Sequence, residues 1–288
     1  MSKLKFAACE WCFPCWGDLA VKMAHEAGFD GMQLGDAGGS MNAYPLRDPG
    51  VQAYYLEAGE KYHIEFPQIH LYTLGHQGYY RSRLDSLEGK DCLESIRQAV
   101  IAASEMKVPS VIIDGMRMNN PAKRQHVLDV ACYAVQVGEE YGIQIGMETD
   151  MTLEDHFRFL DALDGKLKLC FDLHNPVMYG TGYPPDMVRA LGKGRMDHFH
   201  IKESQPNEDG FVTVETPIVL MGQGGTFFRE SAQAVKDIGF EGWIVSENFY
   251  FRPNILSEGY DYISAARKDV ETLSLIHISE PTRQAEIS

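Results

Sequence analysis

The sequence of 288 residues lacks features that would define several classes of protein. It has no apolar run of about 18 residues, which a membrane-spanning helix requires, and no signal peptide is recognisable at its start. It has no cluster of Lys and Arg, and its formal net charge is -15, which disfavours binding to the phosphate backbone of nucleic acids. We therefore expect a cytoplasmic protein without a membrane or nucleic-acid partner.

Cysteine is too scarce to form a disulfide scaffold. Six cysteines are spread over the chain, whereas domains that depend on disulfides are short and rich in cysteine. Cys9, Cys12 and Cys15 have the C-x2-C-x2-C spacing that opens one iron–sulfur motif, but the fourth cysteine followed by proline is missing. We interpret the three as reduced thiols near the end of a strand.

Short apolar segments alternate with helical ones along most of the chain. The apolar segments predict eight strands, at residues 3–10, 31–36, 66–72, 110–115, 144–149, 167–174, 196–202 and 242–248. Apolar periodicity and capping residues predict a helix after each strand, at residues 18–28, 51–63, 91–107, 121–141, 153–163, 184–191, 227–238 and 257–273. Strands that alternate with helices in this way form parallel βαβ units.

Eight such units fit an α/β fold of one domain, the closed (β/α)8 TIM barrel. The alternative, an open doubly wound sheet, would require a glycine-rich phosphate turn after the first strand, and residues 10–17 contain only one glycine. No linker or break in composition divides the chain, so we predict a single barrel domain over residues 1–273.

The last residues, 274–288, do not continue this pattern. They show neither a helical period nor a strand alternation that fits what precedes them, and residues 274–283 resemble the translation of a sequencing adapter read into a metagenomic gene fragment. We predict that 274–288 is a non-native or disordered tail, with a native frayed terminus as the alternative.

Acidic and imidazole side chains stand at the ends of the last four strands. Because side chains alternate across a strand, those of Asp172 and His200 face away from their apolar neighbours. In a TIM barrel the carboxyl ends of all strands meet at one rim. We therefore expect Glu148, Asp172, His200 and Glu247 to converge there.

Three carboxylates in one cavity repel one another unless a cation neutralises them. A set of oxygen ligands with one imidazole suits Mn²⁺, or alternatively Mg²⁺ or Co²⁺, better than a thiolate or all-histidine zinc site. Polar residues that are satisfied at the rim without a metal are the alternative interpretation. We predict a divalent metal site with Glu148, Asp172, His200 and Glu247 as ligands.

These strand ends resemble those of the xylose isomerase-like TIM barrels, a family of sugar phosphate isomerases and epimerases. The resemblance covers residues 3–273, and its specific parts are residues 146–148, 171–172, 198–202, 222–224 and 242–247. It implies a small carbohydrate substrate. In members similar to ketose 3-epimerases, the positions that match the four predicted ligands hold a divalent metal. The positions of Glu148 and Glu247 also form the acid/base pair.

Two positions depart from that pattern. The family often has a histidine three residues after the aspartate of strand six, where this chain has Asn175, with His174 one residue earlier. Ketose 3-epimerases also carry an arginine six residues after the histidine of strand seven, where this chain has Pro206. Neither departure affects the predicted barrel or the four ligands.

Several other side chains are candidates for binding the substrate. His174, His198 and Lys202 share the inward faces of their strands, and His70 has the same placement on strand three, although a lone histidine there is as often structural. Basic residues are absent from the glycine loop at 222–225, so a tight turn is preferred there to a phosphate cradle.

Aromatic and cationic residues near the rim complete the set of candidates. Trp11 and Trp16 follow strand one and could pack on the apolar face of a sugar or cover a pocket. Arg252 follows strand eight and is the nearby cation to test as a phosphate ligand.

The predicted function is a metal-dependent isomerase or epimerase that moves a proton through an enediolate, with Glu148 and Glu247 as the catalytic pair. The alternative is a lyase of the inosose dehydratase or C-glycoside-cleaving type, which shares the first step. An apurinic endonuclease would need more histidines at the rim and a basic face. A sugar-binding protein without catalysis is the remaining alternative, and a homo-oligomer stays open.

Overall fold

The computed structural model describes residues 4–35, 44–71, 74, 82–116, 121–274 and 276. Eight strands form one sheet: β1 Leu4–Cys9, β2 Gly31–Gln33, β3 Gln68–His70, β4 Ser110–Gly115, β5 Gln144–Thr149, β6 Lys168–Asp172, β7 Met196–Ile201 and β8 Gly242–Ser246. All neighbouring strands are parallel, in the order β2-β1-β8-β7-β6-β5-β4-β3.

Isolated bridges bring the two ends of this order together. Gly31 pairs with Glu65 and Leu34 pairs with Ile69, both in the parallel sense. The backbone N–H of Leu34 donates to the carbonyl of Gln68 at 3.0 Å. These contacts join β2 to β3 and make a nearly closed barrel, so the predicted (β/α)8 TIM barrel fold is confirmed.

A helix follows every strand of the barrel. The helices are α1 Asp18–Ala27, α2 Pro49–Tyr62, α3 Leu87–Met106, α4 Pro121–Tyr141, α5 Leu153–Ala162, α6 Pro184–Leu191, α7 Phe228–Asp237 and α8 Tyr262–Ser274. Side-chain caps fix where several begin, because an oxygen accepts from a backbone N–H that has no partner within the helix. Asp48 caps α2, Ser86 caps α3 and Thr152 caps α5.

The loops at the carboxyl ends of the strands carry small additional elements. Short helices lie at Asn175–Met178 and Pro253–Leu256, and Glu203–Ser204 pairs with Ile218–Val219 in an antiparallel ribbon. Within the described ranges, no helix is long and apolar enough to cross a membrane.

Strand alternation separates the apolar packing from the polar interior. Phe171 and Phe199 are partners in register, with ring centroids 6.3 Å apart, and the Phe171 ring lies 6.0 Å from that of His156 on α5. Asp172 and His200 are the next partners in register and therefore face the opposite side, into the barrel. The apolar layer between strands and helices thus holds the strands that carry the polar residues.

A difference from the predicted strand bounds that affects a candidate site residue lies at β6, which ends at Asp172 rather than at residue 174. The backbone N–H of His174 donates to Oδ1 of Asp172 at 2.7 Å, so the aspartate closes a turn immediately after the strand. His174 then has a helical backbone conformation, with φ -88° and ψ -37°. The expectation that His174 continues the alternation of β6 is wrong for this reason.

The predicted tail begins where α8 ends. The helix includes Ser274, and Ile276 is buried in the apolar core with 4 % of its surface exposed. Residues 277–288 lie outside the described residues. A non-native tail therefore stays a prediction, which we now apply to residues 277–288.

We predict that removal of residues 277–288 leaves the melting temperature within about 2 °C of that of the full chain. Removal of residues 274–288 also deletes Ile276, whose burial stabilises the fold by about 1.5–3 kcal/mol, and should lower the melting temperature by several degrees. Thermal unfolding of the two truncated proteins checks this. An equal loss in both would show that residues 277–288 belong to the folded domain.

Candidate metal centre

The side chains of Glu148, Asp172, His200 and Glu247 meet inside the carboxyl end of the barrel. One ligand atom from each lies within 4.8 Å of the others, and all four residues are buried. Nδ1 of His200 lies 3.4 Å from Oε2 of Glu148 and 3.6 Å from Oε2 of Glu247. Two donor atoms that each lie about 2 Å from one ion are separated by about 3–4 Å, so this spacing fits shared ligation.

The protonation of His200 also fits a metal ligand. Its Nε2 lies 2.8 Å from Oε1 of Gln33, and because an amide oxygen only accepts, Nε2 is the donor. Its Nδ1 is buried and makes no hydrogen bond within the described part of the chain. Burial acts to lower the pKa of His200, but Cys170 and the two glutamates raise it well above its usual range. The position thus attracts a cation.

Each glutamate has one oxygen in the cluster and the other held by a neutral donor. Asn175 Nδ2 donates to Oε1 of Glu148 at 2.7 Å, and Trp11 Nε1 donates to Oε1 of Glu247 at 3.2 Å. Burial alone would raise the pKa of both carboxyls, but His200 lowers that of Glu148, and Lys202 together with His200 lowers that of Glu247. Both groups are therefore carboxylates at neutral pH.

Lys202 belongs to the same cluster. Its Nζ contacts Oδ2 of Asp172 and Oε2 of Glu247, and its side chain is only 12 % exposed. With His200 as a neutral ligand, one ammonium among three carboxylates leaves two negative charges, which is the charge that a divalent cation would balance. The donor set and its charge therefore fit a divalent metal.

Trp11 and His70 form one side of the cluster. Nε2 of His70 lies 4.0 Å from Oε2 of Glu148, and its ring lies 5.3 Å from Trp11 in an edge-on arrangement. Burial lowers the pKa of His70 to about 4, so the imidazole is neutral at physiological pH. Both predicted substrate ligands thus lie beside the candidate metal ligands, and their role stays a prediction.

His174 and His198 make other contacts. Nε2 of His174 lies 2.9 Å from Oγ of Ser204 on the ribbon after β7. His198 is fully buried, with Nε2 3.0 Å from Nε2 of Gln33 and Nδ1 2.7 Å from Oδ2 of Asp197. The partners of His198 are thus protein groups on both sides of its ring.

Trp16 and Arg252 lie at exposed positions. Trp16 is 43 % exposed, and its ring covers Gly35, where an added Cβ would come within 3.0 Å of the indole. Arg252 is exposed, and its guanidinium lies 5.1 Å from the ring centroid of Phe249 and 6.0 Å from that of Phe251. Neither shows a contact with the four candidate ligands.

The glycine loop after β7 surrounds an internal anion. The carboxylate of Glu203 accepts from the backbone N–H groups of Gly222, Gly224 and Thr226, and from the Thr226 hydroxyl at 2.9 Å. Glu203 is buried with 1 % exposure. The amides that could cradle a phosphate are therefore occupied by the protein, in agreement with the preference for a tight turn.

Three contributors to this site escaped the sequence analysis. Asn175 was noted only as a departure from a pattern, yet it holds Glu148. Gln33 lies on a strand of three residues and showed no motif. Glu203 directly follows Lys202 but lies 19 residues before Gly222, so no local motif linked it to the glycine loop.

The fold and the cluster together define a class: a TIM barrel with a buried carboxylate–histidine site at the carboxyl ends of its strands. A family profile described as xylose isomerase-like TIM barrel matches residues 21–271. The chain therefore belongs to the xylose isomerase-like TIM barrel family. A search of curated protein sequences found no match.

Solved structures share the fold at low sequence identity. The IolI protein, solved with a zinc atom, has a TM-score of 0.71 at 17% identity, and the match covers 94% of this chain and 96% of that one. D-allulose 3-epimerase from Methylomonas sp. has a TM-score of 0.71 at 18% identity, with 96% and 99% covered. D-psicose 3-epimerase from Clostridium cellulolyticum H10, solved with D-tagatose, has 0.71 at 13%, with 95% and 98% covered.

We predict that the purified protein binds about one divalent cation per chain, because one convergent ligand set is present. Asp172→Asn and His200→Ala should each weaken Mn²⁺ binding by at least about tenfold, since each changes one of the four candidate ligands. Isothermal titration calorimetry of the metal-free protein with Mn²⁺ measures the stoichiometry and the affinity.

The matched control is His156→Ala, which removes another buried histidine, one that contacts Thr149 and Phe171 on the outer side of the barrel. It should lower thermal stability while Mn²⁺ affinity stays within about twofold. Equal loss of affinity in the control would attribute the effect to general destabilisation and contradict the assignment of ligands.

Proposed function

We propose that this protein is a metal-dependent isomerase or epimerase of a sugar, which acts by proton transfer through an enediolate. The observation that carries the proposal is the buried cluster in which two ionised glutamates each place an oxygen within 3.6 Å of Nδ1 of His200. Membership of the xylose isomerase-like family and the likeness to two structures named as ketose 3-epimerases support a carbohydrate substrate.

The four ligands in this proposal are Glu148, Asp172, Nδ1 of His200 and Glu247. A divalent cation bound there, for which we favour Mn²⁺ over Mg²⁺ or Co²⁺, supplies Lewis-acid stabilisation of negative charge on substrate oxygens. The protein contributes a dry cavity and a fixed set of donors, since every candidate ligand is buried.

Glu148 and Glu247 move the proton. They lie at the ends of β5 and β8, and His200 of β7 lies between them. Asn175 and Trp11 hold one oxygen of each and so fix the orientation of both carboxylates. We propose that one glutamate removes the proton next to the substrate carbonyl and that the other returns a proton on the opposite face.

Lys202, His70 and Trp11 are our candidates for positioning the substrate, because each lies against the cluster. The ammonium of Lys202 can donate to a substrate oxygen, and the neutral imidazole of His70 can donate or accept. The Trp11 ring offers an apolar surface to the C–H groups of a sugar.

An unphosphorylated sugar fits this site better than a sugar phosphate. The glycine loop after β7 lies where barrels commonly bind phosphate. Its amides already bind the buried carboxylate of Glu203, which would also repel a second anion. This observation supports a neutral carbohydrate as the substrate.

A lyase of the inosose dehydratase or C-glycoside-cleaving type is the second candidate, and Lys202 is the observation that favours it. Its ammonium contacts the carboxylates of Asp172 and Glu247, and Glu247 belongs to the proposed acid/base pair. An acid in that place can protonate a leaving hydroxyl after the proton next to the carbonyl has been removed. The inosose dehydratase type would release water and leave an unsaturated or ketonic sugar, whereas the C-glycoside-cleaving type would release the protonated aglycone.

Product analysis separates the two functions. The metal-loaded protein is incubated in D₂O with a panel of ketoses and inososes and followed by proton NMR. We expect an epimer or isomer that carries deuterium at the carbon next to the carbonyl. Loss of water from the substrate would instead establish the inosose dehydratase type, and no change in any member of the panel would contradict both that type and the isomerase or epimerase.

We predict that Glu148→Gln and Glu247→Gln each lower turnover by at least about 100-fold, because glutamine keeps the size but cannot accept a proton at neutral pH. Metal content is measured in the same samples. Glu10→Gln is the matched control, since Glu10 is also buried at a strand end, but within the described ranges its carboxylate accepts from the Tyr55 hydroxyl and the amides of Gly17 and Gly35.

Exchange with D₂O adds a second readout to the two variants. If each glutamate serves one face of the substrate, either variant can still exchange a single substrate proton while it fails to release product. Near wild-type turnover by metal-loaded Glu148→Gln would contradict the assignment of Glu148 as an acid/base.

A further inference from the structure

A chain of hydrogen bonds leads from His200 into the interior of the barrel and ends at Asp197, which is not one of the candidate metal ligands. Nε2 of His200 lies 2.8 Å from Oε1 of Gln33, and Nε2 of Gln33 lies 3.0 Å from Nε2 of His198. Nδ1 of His198 lies 2.7 Å from Oδ2 of Asp197. Gln33, His198 and His200 have no exposed surface.

The chain connects parts of the barrel that are not neighbours. Gln33 is on β2, whereas the two histidines are on β7, and β1 and β8 separate these strands in the sheet. The amide of Gln33 therefore crosses the interior. Burial of a primary amide is costly unless its polar atoms are paired, and here both are, with Cys9 Sγ as a further contact of Oε1 at 3.3 Å.

The chemistry at the far end gives the chain one direction. The ionised carboxylate of Asp197 can only accept, so Nδ1 of His198 donates to it. Nε2 of neutral His198 is then an acceptor and requires the NH₂ group of Gln33 on its side. That orientation turns the amide oxygen of Gln33 toward His200, which places the His200 proton on Nε2.

We propose that Asp197, His198 and Gln33 are positioning residues that fix the tautomer of His200 and thereby make Nδ1 the metal-binding nitrogen. This inference rests on the metal site of the proposed function and adds to it a reason for the choice of nitrogen. Nδ1 is the ring nitrogen that faces Glu148 and Glu247 and makes no hydrogen bond among the described residues.

Asp197 is itself anchored for this role. Oγ of Ser110 on β4 donates to its Oδ1 at 3.0 Å, which leaves Oδ2 for His198. A carboxylate fixed in this way orients the imidazole that it accepts from, as partners of metal-binding histidines commonly do. The chain thus transmits a fixed orientation from β4 to the metal-binding histidine.

The test compares Mn²⁺ affinity among folded variants of the full chain. Gln33→Met removes both polar atoms at similar length, and we expect Mn²⁺ affinity to fall by about 10–100-fold, as is typical for partners of a ligating histidine. Gln33→Glu keeps an acceptor for Nε2 of His200 and should bind Mn²⁺ more tightly than Gln33→Met. An asparagine at position 197 can either donate to or accept from His198. Asp197→Asn therefore no longer fixes the direction of these hydrogen bonds and should also weaken Mn²⁺ binding.

The matched control is Gln68→Met. Gln68 is likewise buried, on β3, and its Oε1 has no hydrogen-bond partner in the described part of the protein. Its replacement removes a buried amide that, among the described residues, makes no hydrogen bond to Gln33, His198 or Asp197, so Mn²⁺ affinity should stay within about twofold of wild type. Equal affinities of Gln33→Met and Gln68→Met would overturn the inference.

A direct readout of the tautomer does not depend on affinity. In the Zn²⁺-loaded protein with ¹⁵N-labelled histidine, long-range proton–nitrogen NMR identifies which ring nitrogen carries the proton. The His200 signals are assigned by their loss in His200→Ala. We expect the proton on Nε2 in the wild type and in Gln33→Glu, and a proton on Nδ1 in the wild type would overturn the inference.

The metal site and the role of the hydrogen-bond chain can be tested separately. Wild-type protein that binds no divalent cation would overturn the metal site and this inference with it. Wild-type protein that binds metal through His200, with an unchanged affinity in Gln33→Met, would overturn only the role of the chain. If Gln33→Met does not fold, Gln33→Glu and Asp197→Asn carry the comparison.

Discussion

The repulsion among three buried carboxylates is the constraint on which the rest of this site depends. Glu148, Asp172 and Glu247 have oxygens within 4.8 Å of one another, and all three residues are buried. Lys202 offsets one of the charges, and the remaining two attract a cation to Nδ1 of His200. Neutral donors from Asn175 and Trp11 keep the glutamates oriented without cancelling their charge. The remaining negative charge of the site thus matches that of a divalent cation in magnitude.

The barrel holds these mutually repelling groups together because the candidate ligands are carried by packed strands. The outward faces of β6 and β7 pack Phe171 and Phe199 together, and the inward faces bring Asp172 beside His200 in register. The loops after the strands add the partners, including Asn175 after β6 and the ribbon that begins at Glu203 after β7. Apolar packing therefore positions groups that would otherwise separate.

The barrel and the convergence of the four candidate ligands could be predicted from sequence because both follow from periodicity. Alternation along the strands indicated that the side chains of Asp172 and His200 face away from the apolar packing. Eight strand–helix units implied that the strand ends meet at one rim. Prediction failed where the strand stopped: the turn that Asp172 closes carries His174 to Ser204. Gln33 was missed because its contacts cross the interior between strands that are remote in sequence, and no local pattern reports such a pair.

The central claim is that Glu148, Asp172, Nδ1 of His200 and Glu247 bind one divalent ion. Anomalous diffraction from crystals of the Mn²⁺-loaded protein tests it most directly, because the signal locates the ion without reference to activity. We predict a single strong peak about 2.0–2.3 Å from those four ligand atoms. A well-ordered cluster without a peak, or a peak bound by Nε2 of a rotated His200, would contradict the account.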